Sequence, residues 1–409
     1  MLSACFGGQD HEPSKPASVA LSADHVKDLK LGLVVSLSSP EGQGRDYLDA
    51  VEGVEVAASR YKLGGVDLDF EVVDDKGSRA DADKAVASLV EKGVSGIIFG
   101  TAGDHLVDAM HTASEAGVPV IAPYLRVTED IPQGVYVTGP SEDTISDLIG
   151  DSLAQSGTQT PLVLSVDGTP VPNLPSGDVV DVKDLDATKV ARDVKKAFDK
   201  NTNDSVVMSA PAAYQGRLFA KLQEIASSRP VVMTPEALTQ AFADSLVKVD
   251  GTPSGEMQAV GVESADIVTL GDSEQARTTS AFFAALRLLA QESGQKSIID
   301  GQPLAETVSG ADAASHDAVI AFVRAASKAD SRDPKEVANA LAQLKLTVAD
   351  ELAGPSLDFS TAYPLDETSV MLLHATTQDP GVRPAKPLAA SDVNSAPRLF
   401  WFGYKPESP

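Results

Sequence analysis

The chain has 409 residues, 43% of them apolar and 22% charged, so it can bury a large core and is longer than one ordinary domain. Lysine and arginine total 33 against 59 acids, a formal charge of -26, and such a field repels phosphate backbones and argues against nucleic acid as a partner. No run approaches the roughly 20 apolar residues of a membrane-spanning helix.

In chain order, the first feature is "LSAC", residues 2–5, which holds the single cysteine and so excludes an internal disulfide. The stretch resembles the end of a bacterial lipoprotein signal, where small residues precede a cysteine that is lipidated. The basic and apolar residues that come before such a cysteine are missing, which points to a trimmed or late-starting sequence. The resemblance implies lipidation at Cys5. Residues up to 28, rich in Gly, Pro and Ser and without periodicity, then read as a tether that holds a globular body at a membrane surface.

The body opens on "LKLGLVVSL" (29–37), an apolar run without strict alternation, as expected of a strand buried on both faces. A helix is predicted over 47–63, then strands at 66–75 and 94–100 around a helix at 81–93, a helix at 104–116, and strands at 118–123 and 134–140. Gly93 and Gly117 stand where left-handed helix ends are expected. Strand and helix alternate with short joints, the rhythm of βαβ units in a parallel sheet. The pattern restarts at 162–166, 178–182, 204–210, 229–234 and 256–262, with helices at 187–200 and 212–227. Long helices are predicted at 273–294 and 314–329, and a third with Asp333 as N-cap and Pro334 at its first position. The last ~60 residues are proline-rich, with one strand predicted at 368–375.

Four stretches together resemble the type I periplasmic solute-binding proteins, particularly the branched-chain amino acid (leucine-binding) group. They are "KLGLVVSLSSPEGQGRDYLDAVEGVEVAASRY", "LDFEVVDDKGSRADADKAVASLVEKGVSGIIFG", "EAGVPVIAP" and "SHDAVIAFVRAASKADSRDPKEVANALAQLKL", the last with His316-Asp317-Ala318 at a Tyr-Asp-Ala position. The resemblance is good over about 30–140 and loose over 200–350. It implies an α/β fold of two doubly wound parallel-sheet lobes joined by hinge strands: lobe 1 from 29–138 plus 263–348, lobe 2 from 139–262 plus 349–409. Strand-end loops would face each other across a crevice that closes on a ligand.

Loop ends that would line that crevice are Ser38, Ser39, Glu41, Gln43, Arg45, Thr101, Ala102, Gly103, Asp104, Tyr124 and Arg126 in lobe 1, and Asp167, Tyr214, Glu236 and Glu263 in lobe 2. By the resemblance, hydroxyls and helix N–H groups near 102–104 and 124–126 would take a ligand carboxylate. Here Asp104 would repel it and Arg126 offers a bidentate alternative. Lobe 2 departs from the pattern: "DGTPVPNLPSG", eleven residues with three prolines, replaces a strand-to-helix turn and a full helix.

Nothing catalytic stands out. The six histidines lack metal-ligand spacing, and no nucleophile elbow, Walker loop or dinucleotide fingerprint is present. The expectation is a lipid-anchored extracytoplasmic protein that captures an amino acid or similar polar solute for an ABC permease, without cofactor, metal or chemistry of its own. The alternative is a degenerate scaffold or sensor lipoprotein docked on an envelope partner.

Overall fold

The computed structural model describes residues 18–403, apart from 27, 40–43, 128–129, 167–168, 184–185, 226–228, 254–256, 293 and 386–395. Cys5 lies outside the described residues.

Five short strands form the first sheet: β1 (Leu29–Val35), β2 (Leu68–Asp74), β3 (Gly96–Phe99), β4 (Val120–Ile121) and β5 (Val135–Tyr136). Their order is β2-β1-β3-β4-β5 and every pair is parallel. That order is doubly wound, with the reversal between β1 and β3 opening a crevice at the strands' carboxyl ends. The Val/Leu/Ile content that marked these runs in the sequence is explained by burial on both faces: Leu31, Leu33, Ile97, Ile98 and Ile121 are fully buried. Helices α1 (Asp49–Leu63), α2 (Arg79–Glu91) and α3 (Val107–Ala116) form the crossovers. Gly93 and Gly117 adopt φ of 69° and 73°, the left-handed turns that let the chain drop from α2 and α3 into the next strand.

The second sheet has seven strands: β6 (Pro161–Val166), β7 (Asp178–Val182), β8 (Ser205–Ser209), β9 (Val231–Met233), β10 (Gln258–Val262), β13 (Val370–Thr376) and β14 (Phe400–Gly403). Its order is β14-β13-β10-β9-β8-β6-β7. The parallel part, β7-β6-β8-β9-β10, repeats the winding of the first sheet, and β13 and β14 extend it antiparallel. Helices α4 (Glu142–Gln155), α5 (Ala187–Asp199), α6 (Ala212–Glu224) and α7 (Gln240–Lys248) accompany it. Beyond β10 the chain forms α8 (Ala265–Val268), α9 (Glu274–Leu289), α10 (Leu304–Thr307), α11 (Ala313–Ala329) and α12 (Pro334–Leu341). The small ladder of β11 (Lys345–Leu346) and β12 (Leu357–Asp358) then precedes β13. α11 is buried along most of its length between α1, α12 and the first sheet, and Asp333 caps α12 through the N–H groups of Lys335 and Glu336.

Between β6 and β7, residues 169–177 hold no helix. The eleven-residue connection can reach about 35 Å when extended, enough to return along a six-residue strand of about 20 Å. The cost falls on β7: with no crossover helix above it, Val179 and Val180 remain 56% and 43% exposed.

Two acids on α1, Glu55 buried and Glu52 half-buried, give the fold a pH signature. Burial, reinforced by Asp49, pushes the Glu52 carboxyl up to about 8 from its ordinary 4.5, and burial pushes Glu55 up to about 7 against the N–H of Ile298, which binds it at 2.6 Å. A raised folded-state value means the folded chain holds more protons than the unfolded one between those limits, so this part of the stability is present at mildly acid pH and is lost as pH rises towards 8. Glu52→Gln is expected to unfold like the wild type at pH 5 and to be more stable by on the order of 2 kcal/mol at pH 8. Urea titrations at the two pH values check this; a difference that stays constant with pH would refute it.

Candidate ligand cleft

A cavity of about 610 Å³ lies between the sheets, lined from both bodies and from the segments that cross between them. The first body contributes Tyr47 and Asp49 before and at the start of α1, Tyr124 and Arg126 after β4, and Thr138 after β5. The second contributes Glu236 after β9 and Glu263 after β10. Asp312, Gly354, Arg383 and Arg398 close the wall. Most of these residues follow strand carboxyl ends, where an open parallel sheet exposes its loops.

Two aromatic rings form one side. Tyr47 and Tyr124 stack at 4.7 Å between centroids with a 30° tilt, and the Tyr124 hydroxyl donates to Asp312 Oδ2 at 2.5 Å. Burial raises both phenols well above their ordinary range and raises Asp312 as well. Asp312 caps α11 by accepting from the Ser315 N–H, so the carboxylate is fixed by its own helix.

Arg126 joins the two bodies. Its Nε and one terminal nitrogen donate to the two Glu142 oxygens at 2.7 and 2.8 Å, and the other terminal nitrogen donates to the Glu236 oxygens at 2.7 and 3.0 Å. The Glu142 contact is a fork-to-carboxylate pairing, and the Glu236 contact is made by a single nitrogen shared between both oxygens, in a place where only 9% of the residue is exposed. Arg383 is similarly occupied, by Asp266 at 2.8–3.0 Å and by the carbonyls of Ser309 and Ala311 at 2.7 Å.

The structure brings together four of the expected site residues, Tyr124, Arg126, Glu236 and Glu263, in the cavity wall. It places Ser38, Ser39, Thr101, Ala102, Gly103, Asp104 and Tyr214 outside that wall. Thr101 is fully buried and shares a 2.6 Å hydrogen bond with the Ser36 hydroxyl, which also donates to Asp75 at 2.6 Å. Asp75 in turn is bound by His105 at 2.8 Å, so the ends of β1, β2 and β3 are tied to one another. The Ser38 hydroxyl donates to Asp74, and the Ser39 hydroxyl to the Ser36 carbonyl at 3.2 Å. Asp104 is exposed and pairs with Arg79 at 3.2 Å, and Tyr214 packs in the core under the second sheet. Glu41, Gln43 and Asp167, and the side chain of Arg45, lie outside what the structure describes. Sequence reasoning missed Tyr47, Asp49, Asp312, Arg383 and Arg398. Asp312 carried a usable signal, since it stands as an N-cap before the apolar run of α11.

A family model described as periplasmic binding protein matches residues 28–363. The chain belongs to the periplasmic binding protein family. Its fold is that of the type I members, with two parallel-sheet lobes. The family consists of solute-binding proteins, not enzymes, and implies an extracytoplasmic location. No curated protein matches the chain. Among solved structures, the branched-chain amino acid transporter substrate-binding protein LivJ of Streptococcus pneumoniae, in complex with isoleucine, is similar at 15% identity and a TM-score of 0.65, covering 87% of this chain and 97% of its own. A Desulfitobacterium hafniense ABC transporter substrate-binding protein in complex with Leu is similar at 16% identity and 0.61, covering 86% and 98%. The leucine-binding protein LivK of Thermotoga maritima is similar at 12% identity and 0.61, covering 86% and 96%. At these identities the likeness is one of fold.

Proposed function

We propose that this periplasmic binding protein captures a small polar solute, an amino acid or a compound of similar size, in the cavity between its lobes and presents it to an ABC importer. The supporting observation is the cavity itself: about 610 Å³, walled by both bodies, with charged and aromatic groups converging on it. Lobe 1 would comprise 29–138 with 263–348 and lobe 2 the rest of the body, so that binding draws the lobes together because the solute touches both only when they are shut. Cys5 would carry the lipid; cell fractionation should move the protein from membrane to soluble fraction in Cys5→Ser, and retention in the membrane would remove the anchor.

A thermal-shift screen of amino acids, sugars and small acids tests the capture reading. A true ligand at 100 times its dissociation constant stabilises by about 2.7 kcal/mol, which is a shift of several degrees. A second reading, a scaffold or sensor whose cleft no longer captures solute, draws support from Arg126: the lobes are already bridged by the protein's own side chain. No shift across the panel would favour it.

A further inference from the structure

The family match ends at residue 363, yet the chain beyond it builds part of the cavity. β14 pairs antiparallel with β13 and is fastened to the connection leaving β10. The Ser264 N–H donates to the Trp401 carbonyl at 2.8 Å, the Ser264 hydroxyl accepts from the Trp401 N–H at 2.9 Å, and Glu263 accepts from the Gly403 N–H at 2.8 Å. The fastening sets Arg398, Leu399 and Trp401 in the cavity wall.

Arg398 differs from the other two arginines there. Arg126 and Arg383 have their donors engaged by carboxylates and carbonyls at hydrogen-bond distance. Among the described residues, the Arg398 guanidinium has one ionic contact, with Asp49 at 3.6 Å, and that is beyond hydrogen-bond reach. A guanidinium cannot give up its charge and carries five N–H donors in a planar fork. With 31% of its side chain accessible and its backbone held beside a fixed strand, it offers those donors to whatever occupies the cavity.

We propose that segment 396–403 completes the solute site and that Arg398 receives an oxyanion of the bound solute, a carboxylate in preference to a phosphate dianion. The proposal rests on the reading of the cavity as a solute site. The preference for a single negative charge follows from the surroundings: the Arg383 cation acts on this guanidinium too, but its charge is matched by Asp266 at 2.8–3.0 Å, which leaves Asp49, at 3.6 Å, and Asp312 to oppose a dianion. The anion contact thereby moves from the 101–104 turn, where Thr101 is occupied by Ser36, to a residue outside the family match.

The test uses the full chain and a panel of L-amino acids, each beside its carboxamide, with succinate and inorganic phosphate, read by thermal shift and by calorimetry on every probe that shifts. The expected result is a carboxylate probe that binds, a carboxamide that binds more weakly, and a loss of about 10- to 100-fold in affinity in Arg398→Gln, the loss of a charge-assisted hydrogen bond. Arg398→Lys, which keeps the charge without the fork, should lose part of it and carries the test should Arg398→Gln fail to fold. Binding that neither variant weakens, or a carboxamide equal to its acid, overturns the assignment to Arg398 and leaves the capture reading standing. Phosphate binding alone, removed by Arg398→Gln, overturns the preference for carboxylate. A panel in which nothing binds overturns both readings.

Discussion

Replacing Arg126 by alanine should destabilise the folded protein by about 3–5 kcal/mol and let the two lobes separate. The guanidinium touches Glu142 through Nε and one terminal nitrogen and Glu236 through the other terminal nitrogen, in four hydrogen bonds of 2.7–3.0 Å. Both acids come from the body of the second sheet, whereas Arg126 follows β4 of the first. Alanine leaves two carboxylates turned on a shared space with their common cation gone, so the penalty exceeds the loss of an exposed ion pair, which is worth only about 0–1 kcal/mol. The lowest-energy response is to hydrate both acids by opening the seam. Small-angle scattering should therefore show a larger radius of gyration for Arg126→Ala, alongside the lower denaturation midpoint. A control separates charge from packing: Arg126→Met with Glu142→Gln and Glu236→Gln removes all the charges and should recover most of the stability, because an apolar or neutral seam needs no ion pair. An Arg126→Ala protein with wild-type scattering and midpoint would show that the bridge does not hold the lobes.

The same residue shows where sequence reading stops. That position 126 stands at a strand end facing a crevice was legible, because βαβ periodicity and strand-end logic place it there. That its donors meet Glu236, 110 positions away, was not, because such a pairing depends on how two sheets are set against each other. The strands and most helices followed from local pattern for the same reason: apolar runs of four to seven residues alternate with helical spacing. α4 was passed over although Ser141 caps it and Ile145, Ile149 and Leu153 recur at four-residue steps, since its acidic, Ser-rich surface reads as a joint between halves. β14 lay beyond local reading altogether, because four residues pair with β13 across a long excursion. Arg398 and the rear of the cavity were hidden with it. At the rim, Thr101 and Ser38 looked available because hydroxyls at strand ends are polar and cheap to expose. The structure turns them onto Ser36 and Asp74, a choice made by the neighbouring strands rather than by residues 38 or 101.

Asp317→Ala should be the most damaging single change away from the cavity's charged bridge, with an expected loss of about 3–5 kcal/mol. Asp317 is 3% exposed and accepts three hydrogen bonds: from the Ala353 N–H at 2.9 Å, the Gly354 N–H at 2.7 Å and His316 Nδ1 at 2.7 Å. The imidazole tautomer follows from its other partner. Arg60 lies 2.9 Å from Nε2 and can only donate, so Nε2 accepts and Nδ1 carries the proton. Burial pushes the His316 value down, in keeping with a neutral ring. Removing the carboxylate strands three donors at once and breaks a chain that runs from Arg60 through His316 to the segment at 353–354. That segment lies on the stretch leading from α12 to β13, between the body of the first sheet and a strand of the second, and it lines the cavity. Its loosening should therefore appear as faster amide exchange at Ala353 and Gly354 and as weaker solute binding, in addition to lower stability. Asp317→Asn keeps one acceptor oxygen and should recover about half of the loss. Exchange rates at 353–354 equal to the wild type in Asp317→Ala would mean that this carboxylate does not anchor the crossing.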